Sequence, residues 1–426
     1  MSAMRDTATH RDARTVRPAA PAAPAAPAAP AAPAAPAAAA AAAGRRAGPL
    51  AGVRVVELAG IGPAPFAAML LGDLGADVVR VDRPGTPVLG VDAAFDVTNR
   101  NKRSVLVDLK SADGPGTVRA LAARADILIE GFRPEVAERL GVGPRECLAV
   151  NPALVYGRMT GWGQDGPLAP RAGHDIGYIA TVGALGMIGA PDGPPVIPGN
   201  LLGDYAGGSL YLVAGVLAAL LTARSTGEGQ VVDAAIVDGT AHLTALVQGM
   251  LASGAWQDAR GRNLLDGGCP YYAVYETADG GWMAVGALEP AFYAEFVRLL
   301  GLDAEDLPDR TDPRRWPELR AAFAARFGSE GRAAWTAVFE GTDACVAPVL
   351  SLREAARHPH LRARRTFTEE HGIVQPGLAP RFSATPGALR LPPARPGAHH
   401  DEVARDWRVP ELTGAPRPAT HPEDGR

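Results

Sequence analysis

Residues 53–82 read VRVVELAGIGPAPFAAMLLGDLGADVVRVD, and this stretch decides the fold. Val53–Leu58 is a short run rich in β-branched residues, which predicts a buried strand. Glycines and prolines then break the chain through Pro65, Phe66–Leu74 has a helical composition, and Ala76–Asp82 reads as a second strand. A strand–helix–strand unit of this length predicts parallel pairing through a right-handed crossover. The alternation continues outward, with strands at Ser104–Leu109, Asp126–Glu130 and Ala153–Met159 and helices around Gly114–Arg124 and Val136–Leu140. The expected class is therefore α/β, with a large open parallel-sheet (Rossmann-like) domain.

Beyond Met159 the pattern changes. Leu210–Leu221 reads as a buried helix, Val231–Ala235 as a strand and Gly239–Met250 as a further helix. Tyr271–Glu276 and Trp282–Gly286 flank Asp279-Gly280, which predicts a hairpin. Helices are expected at Pro290–Leu300 and Trp316–Phe339, giving a smaller α+β domain. The predicted organisation is a Pro/Ala-rich tail over 1–48, a large domain over 49–235, linker helices over 236–269, a small domain over 270–350 and a returning C-terminal segment over 351–426. Proline recurs at every third position from Pro18 to Pro36, and an alanine run to Ala43 follows. That composition favours extended, unpacked chain, so the tail is expected to be disordered.

Composition narrows the function. A formal net charge of -4 argues against a nucleic-acid partner. The three cysteines, Cys147, Cys269 and Cys345, have no C-x-x-C spacing, so neither a disulfide framework nor a zinc site is expected, and a reducing, cytoplasmic setting is. No long run rich in Leu, Ile, Val or Phe stands out, so no membrane-spanning helix is expected. Gly60-Ile61-Gly62 after the first strand, with Asp82 about twenty residues on, imitates a dinucleotide fingerprint. Pro65 stands where the third glycine belongs, and the two glycines read better as a tight turn.

Chemistry concentrates around Gly173-His174-Asp175. This triplet follows Thr160-Gly161-Trp162-Gly163-Gln164 and precedes Gly203-Asp204-Tyr205-Ala206-Gly207-Gly208. A histidine and a carboxylate near glycine-exposed backbone suit proton transfer at a carbon beside a carbonyl, which needs two weak bases and a place for an oxyanion. By the residues alone, His174 also reads as a satisfied loop histidine, and Asp204 and Glu289 as helix caps. Arg83 and Arg133 fall at the carboxyl ends of strands, where open sheets bind ligands. Solvated loop arginines are the other reading.

The stretches GVRVVELAGIGPAP, LGDLGADVVRVDRPG, NKRSVLVDLK, RMTGWGQDGP, AGHDIGYIA, NLLGDYAGGS, LLDGGCPYY, AVGALEPAFY and TDACVAPVL occur in order between residues 52 and 350. Through them the chain resembles the family III CoA-transferases (CaiB/BaiF), and in particular their α-methylacyl-CoA racemase branch. The resemblance implies an interlocked homodimer in which each site lies between the large domain of one subunit and the small domain of the other. It implies an acyl-CoA substrate, with coenzyme A as part of the substrate and no separate cofactor or metal. It assigns His174, Asp204 and Glu289 to catalysis, with Glu289 orienting the imidazole. It assigns Arg83, Val107, Asp108, Leu109, Lys110, Arg133, Arg139, Gly173, Asp175, Ile176, Gly177 and Tyr178 to binding of the CoA thioester.

Two activities follow from that family. A transferase would use Asp204 as a nucleophile and move coenzyme A between carboxylic acids. A racemase keeps Asp204 as an acid/base and adds His174, so the three residues together imply epimerisation of 2-methylacyl-CoA thioesters through an enolate. His174 would deprotonate the S-epimer and Asp204 the R-epimer. The chain departs from the branch at Gly177, where asparagine is usual, at Pro198-Gly199 and at Cys269.

Overall fold

Six parallel strands build the main sheet of the computed structural model, which describes residues 48–85 and 91–414. They are β1 (Arg54–Leu58), β2 (Asp77–Asp82), β3 (Lys102–Leu106), β4 (Ile127–Glu130), β5 (Val155–Thr160) and β6 (Val231–Ala235), in the spatial order β3-β2-β1-β4-β5-β6. All neighbours pair in parallel, so every carboxyl end lies along one edge. The order reverses between β1 and β4. Such a switch point opens a crevice above the sheet, because the connections leave in opposite directions. The α/β class expected from residues 53–82 is the class that forms.

Helices cover both faces. α1 (Pro63–Asp73) packs Ala64, Ala67, Ala68 and Leu71 with Val55, Val78 and Ile127 of the strands. On the other face Val56, Val79 and Leu128 meet Val118 and Leu121 of α2 (Gly114–Ala122), Ala137 of α3 (Val136–Arg139) and Cys147 of α4 (Pro144–Val150). Adjacent valines Val55 and Val56 thus serve opposite cores, as a period of two demands. Between the sheet and α1 sits a buried ion pair, Lys102 Nζ to Glu57 Oε2 at 2.6 Å, with Lys102 also donating to the Pro65 carbonyl at 2.9 Å. Burial pushes the Glu57 carboxyl up and the Lys102 amine down, and their mutual attraction opposes both shifts.

After β5 come α5 (Asp175–Thr181), α6 (Leu210–Thr226), α7 (Ile236–Leu243) and α8 (Ala245–Ser253). The helix expected from Leu210 begins earlier, because Leu201–Ser209 is wound as a π-helix that runs into α6. Together Leu201–Thr226 spans 26 residues and holds an 18-residue stretch with a mean hydropathy of 1.8, long and apolar enough to cross a membrane by length and composition, with 50% of that stretch buried inside the protein. No run of that length stands out in the sequence because Gly, Ser and Tyr interrupt it, while Leu, Val and Ala raise the mean; half buried, the helix packs as a core element. Leu212, Val213 and Val216 of this helix belong to the main core. The helix expected over Gly239–Met250 is two helices, since Thr244 turns its hydroxyl back to the Ala241 carbonyl at 2.8 Å.

A second, antiparallel sheet holds β7 (Tyr272–Glu276), β8 (Trp282–Gly286) and β9 (Val346–Pro348). The predicted hairpin forms, with Gly280 at φ 75° in its turn. One face packs on α9 (Pro290–Leu300), α10 (Trp316–Phe327) and α11 (Arg332–Phe339) through Phe296, Phe323, Phe327 and Trp335. The other face exposes Tyr272, Val274 and Trp282. The single helix expected over Trp316–Phe339 is broken between Phe327 and Arg332, where Gly328 and Gly331 weaken helix formation.

The C-terminal segment returns to β3: the Asn101 amide donates to the Leu391 carbonyl and the His399 amide to the Ser104 carbonyl, each at 2.9 Å. A helix at His400–Trp407, absent from the sequence-based expectation, then inserts Val403, Ala404 and Trp407 into the second core. The Pro/Ala-rich tail, apart from Gly48, lies outside the described residues.

Trp407 is 1% exposed, donates its indole N–H to Asp77 Oδ2 at 3.0 Å and lies under the Arg54 guanidinium. Truncating it leaves a cavity between sheet and helix. Trp407→Ala is expected to lower unfolding free energy by about 3–5 kcal/mol in urea titration.

Candidate active site

The switch-point crevice is a cavity of about 310 Å³. One wall is the loop after β1, where Gly62 adopts φ 73° and leads into Pro63 at the first turn of α1. The loop after β4 supplies Gly131 to Pro134, and the loop after β5 supplies Gly161 and Trp162. His174 and Asp204 face the same cavity. The paired glycines Gly60 and Gly62 make this turn, as expected. A Cβ on Gly62 would stand 3.1 Å from Asp204 Oδ2, so glycine lets the carboxylate approach the backbone.

Asp204 sits inside the π-helix, which corrects its reading as a helix cap. Small residues allow the tight seating: a Cβ on Gly208 would press on Pro63, Met159 and Ile236, and one on Gly207 or Gly239 would collide across the contact with α7. Phe66 of α1 stacks on Tyr205 at 4.4 Å between ring centroids. From the position just before the helix, Asn200 Nδ2 donates to Asp204 Oδ2 at 3.2 Å. Burial pushes the Asp204 carboxyl up; the Asn200 bond opposes the shift, the Asp175 charge adds to it and the His174 charge opposes it.

His174 is exposed and precedes the first turn of α5. Asp175 is buried behind it, and its Oδ1 accepts the Asp204 amide N–H at 2.6 Å. Gly203 makes that bond possible, because a Cβ there would overlap Asp175 Oδ1. Tyr178 completes the wall: its ring lies against Gly161 and Gly173, where any Cβ would collide with it, and meets Trp162 edge-on at 4.8 Å. Burial and the Asp204 charge push the Tyr178 hydroxyl up, so it stays protonated as a donor, while Arg133 pulls the other way.

The remaining expected residues divide. Arg133 and Gly173 line the cavity. Arg83 and Lys110 are exposed on the same carboxyl edge of the sheet, and Arg139 is exposed on α3 beside Glu135 at 3.7 Å. Val107 is buried in the core and donates its amide to the Asp82 carbonyl, so only its carbonyl can meet a ligand. Asp108 accepts the Lys110 amide at 2.9 Å in the turn after β3, and Leu109 packs against the same core. Ile176 and Gly177 lie on α5 outside the cavity lining, and a Cβ on Gly177 would meet open space.

Glu289 does not line the cavity that His174 faces; it is exposed just before α9, near Cys345. Asn200, Trp162 and Arg171 are the residues that sequence reasoning passed over. None carried a signal: Asn200 stands just before the π-helix, over a segment where the sequence pattern predicts no helix. Among the described residues no group of three or more His, Cys, Asp or Glu is placed to hold a metal ion.

A doubly wound α/β fold with an imidazole and a carboxylate facing one switch-point cavity defines the class. Residues 50–400 match the model of CoA-transferase family III, and the chain belongs to that family. It is 44% identical over 362 residues to alpha-methylacyl-CoA racemase of Mus musculus, covering 84% of this chain and 93% of the relative. The Homo sapiens protein of the same name is 45% identical over 363 residues, with the same shares. A crystal structure of a CAIB/BAIF family protein from Brucella suis superposes with a TM-score of 0.74 at 27% identity, covering 85% of this chain and all of that one.

Two outcomes test this geometry. Gly203→Ala drives a Cβ into Asp175 and shifts Asp204 from its seat, so turnover is expected to fall about 10²-fold in steady-state assays. The raised Asp204 acidity range means that the native state holds this proton more tightly than the unfolded chain, so the ionised carboxylate costs stability above that range. Asp204→Asn is therefore expected to melt above wild type at about pH 7, with the gap closing as pH falls to the ordinary carboxylate range near 3.8.

Proposed function

We propose that this protein epimerises 2-methylacyl-CoA thioesters at the α-carbon by 1,1-proton transfer. The observation that carries the reading is His174 and Asp204 facing one cavity, since two weak bases are what inversion at a carbon acid requires. The identity to proteins named alpha-methylacyl-CoA racemase supports it.

The thioester α-proton is weakly acidic, and its loss leaves a planar enolate. His174 removes the proton from the S-epimer while Asp204, protonated, returns one to the opposite face. In the R to S direction the roles exchange. The upward shift of Asp204 suits this, because a carboxyl that holds its proton more tightly serves better as both base and acid. Tyr178 and Arg133 place a hydroxyl donor and a cation on the same wall. No redox cofactor or metal enters the scheme, and coenzyme A arrives as part of the substrate.

The cavity of one chain lacks Glu289, and the open face of the small sheet leaves Tyr272, Val274 and Trp282 exposed. Both features suit a homodimer in which the small domain of a second copy brings Glu289 to His174 and orients the imidazole.

Incubation with a 2-methylacyl-CoA in heavy water tests the chemistry. Deuterium should enter the α-carbon, and His174→Ala should slow exchange from the S-epimer by about 10²–10⁴-fold. Absence of exchange, with coenzyme A passing instead to a free carboxylic acid, would establish the transferase reading through Asp204. Mixing His174→Ala with Glu289→Gln subunits after co-refolding tests the shared site. If the site is shared, each hybrid dimer regains one intact site, and about a quarter of wild-type activity returns. If both residues act within one chain, none does.

A further inference from the structure

The Arg133 side chain makes no ion pair or hydrogen bond among the described residues, and it reaches the cavity from a segment with a strained exit. After Gly131 to Pro134 the backbone turns at Glu135 with φ 66°, a left-handed conformation uncommon for a residue with a side chain. One guanidinium lies behind this segment. Arg158 on β5, 7% exposed, donates from Nε to Glu130 Oε1 at 2.9 Å. From Nη1 and Nη2 it donates to Glu138 Oε1 and Oε2 at 2.8 and 3.3 Å. Glu130 is fully buried, and its second oxygen accepts the Phe132 amide N–H at 2.6 Å. Glu138 lies on α3 next to Arg139.

A single cation therefore ties down both ends of the segment that carries Arg133 and Arg139. The Phe132 amide is held through Glu130, and α3 is held through Glu138. Packing alone does not call for this arrangement, since burying a guanidinium and a carboxylate costs desolvation that apolar residues would avoid. What a bidentate, planar cation supplies is orientation.

We infer that Arg158 is a positioning residue for the nucleotide end of the substrate. It braces Glu130 and Glu138 so that Arg133 and Arg139 are presented to phosphate groups without reorganisation on binding. This inference rests on the acyl-CoA reading given above. It concerns the part of the ligand remote from the reacting carbon, so it separates binding of the nucleotide from proton transfer.

The test uses the full chain with Glu138→Gln and Arg158→Lys. Glu138 is partly exposed, so its variant should fold even where the other does not. Calorimetry with free coenzyme A should show affinity falling about 5- to 30-fold in either variant. With a 2-methylacyl-CoA, KM should rise by a similar factor while kcat stays within about twofold. The same acyl group on N-acetylcysteamine, which lacks the nucleotide, should be turned over as by wild type. Unchanged coenzyme A affinity in the folded variants, or equal losses on both thioesters, overturns the inference. A wild-type protein that binds no coenzyme A overturns the acyl-CoA reading and this inference with it, a result distinct from variants that match a binding wild type.

Discussion

The bond from the Asp204 amide to the Asp175 carboxylate, made across a glycine, holds the candidate site together. It joins two elements that are far apart in sequence: the loop and short helix carrying His174, and the π-helix carrying Asp204. Because Asp175 directly follows His174, anchoring its carboxylate also sets where the imidazole begins. Asp175 thus matters through what it holds, and its charge raises the proton affinity of the neighbouring Asp204. Any side chain at Gly203 would part the two elements.

The sheet supplies the frame for that contact. Six parallel strands in the order β3-β2-β1-β4-β5-β6 direct the following loops to one edge, and the reversal between β1 and β4 opens a gap between them. The π-helix then lies over the gap, seated on Pro63 through Gly208 and on α7 through Gly207. A wider helical turn changes which residues share a face, and π-turns recur at functional sites for that reason. Beneath it, the Lys102–Glu57 pair ties the sheet to the first turn of α1, the helix whose leading loop forms the cavity wall.

Much of this was legible in the chain. The run Val53–Leu58 followed by Gly and Pro, and the echo at Asp77–Asp82, specify strand, turn and parallel return through local chemistry alone. The hairpin around Asp279-Gly280 is equally local. Other features were hidden. The sequence pattern starts the helix through Asp204 only at Leu210, because glycines at 203, 207 and 208 carry little helical preference and gain their conformation from packing. The helix His400–Trp407 hides in a proline-rich context and is stabilised by Trp407 filling a core built from the first five strands and their helices, far earlier in the chain. The break at Thr244 depends on one side-chain hydrogen bond.

The site divides in the same way. Residue types at His174, Asp204 and Arg133 were readable, since imidazole, carboxylate and guanidinium announce their chemistry and the motifs around them are specific. The sequence by itself determined the alternation of strands and helices, the acid/base inventory and the family. Only the tertiary structure decided that His174 and Asp204 share a cavity, that Asp175 turns away to bind an amide, and that Glu289 stays outside the cavity of its own chain. Those are consequences of distance and burial between segments separated by tens of residues. Such relations follow from how the elements pack, and no local preference encodes them.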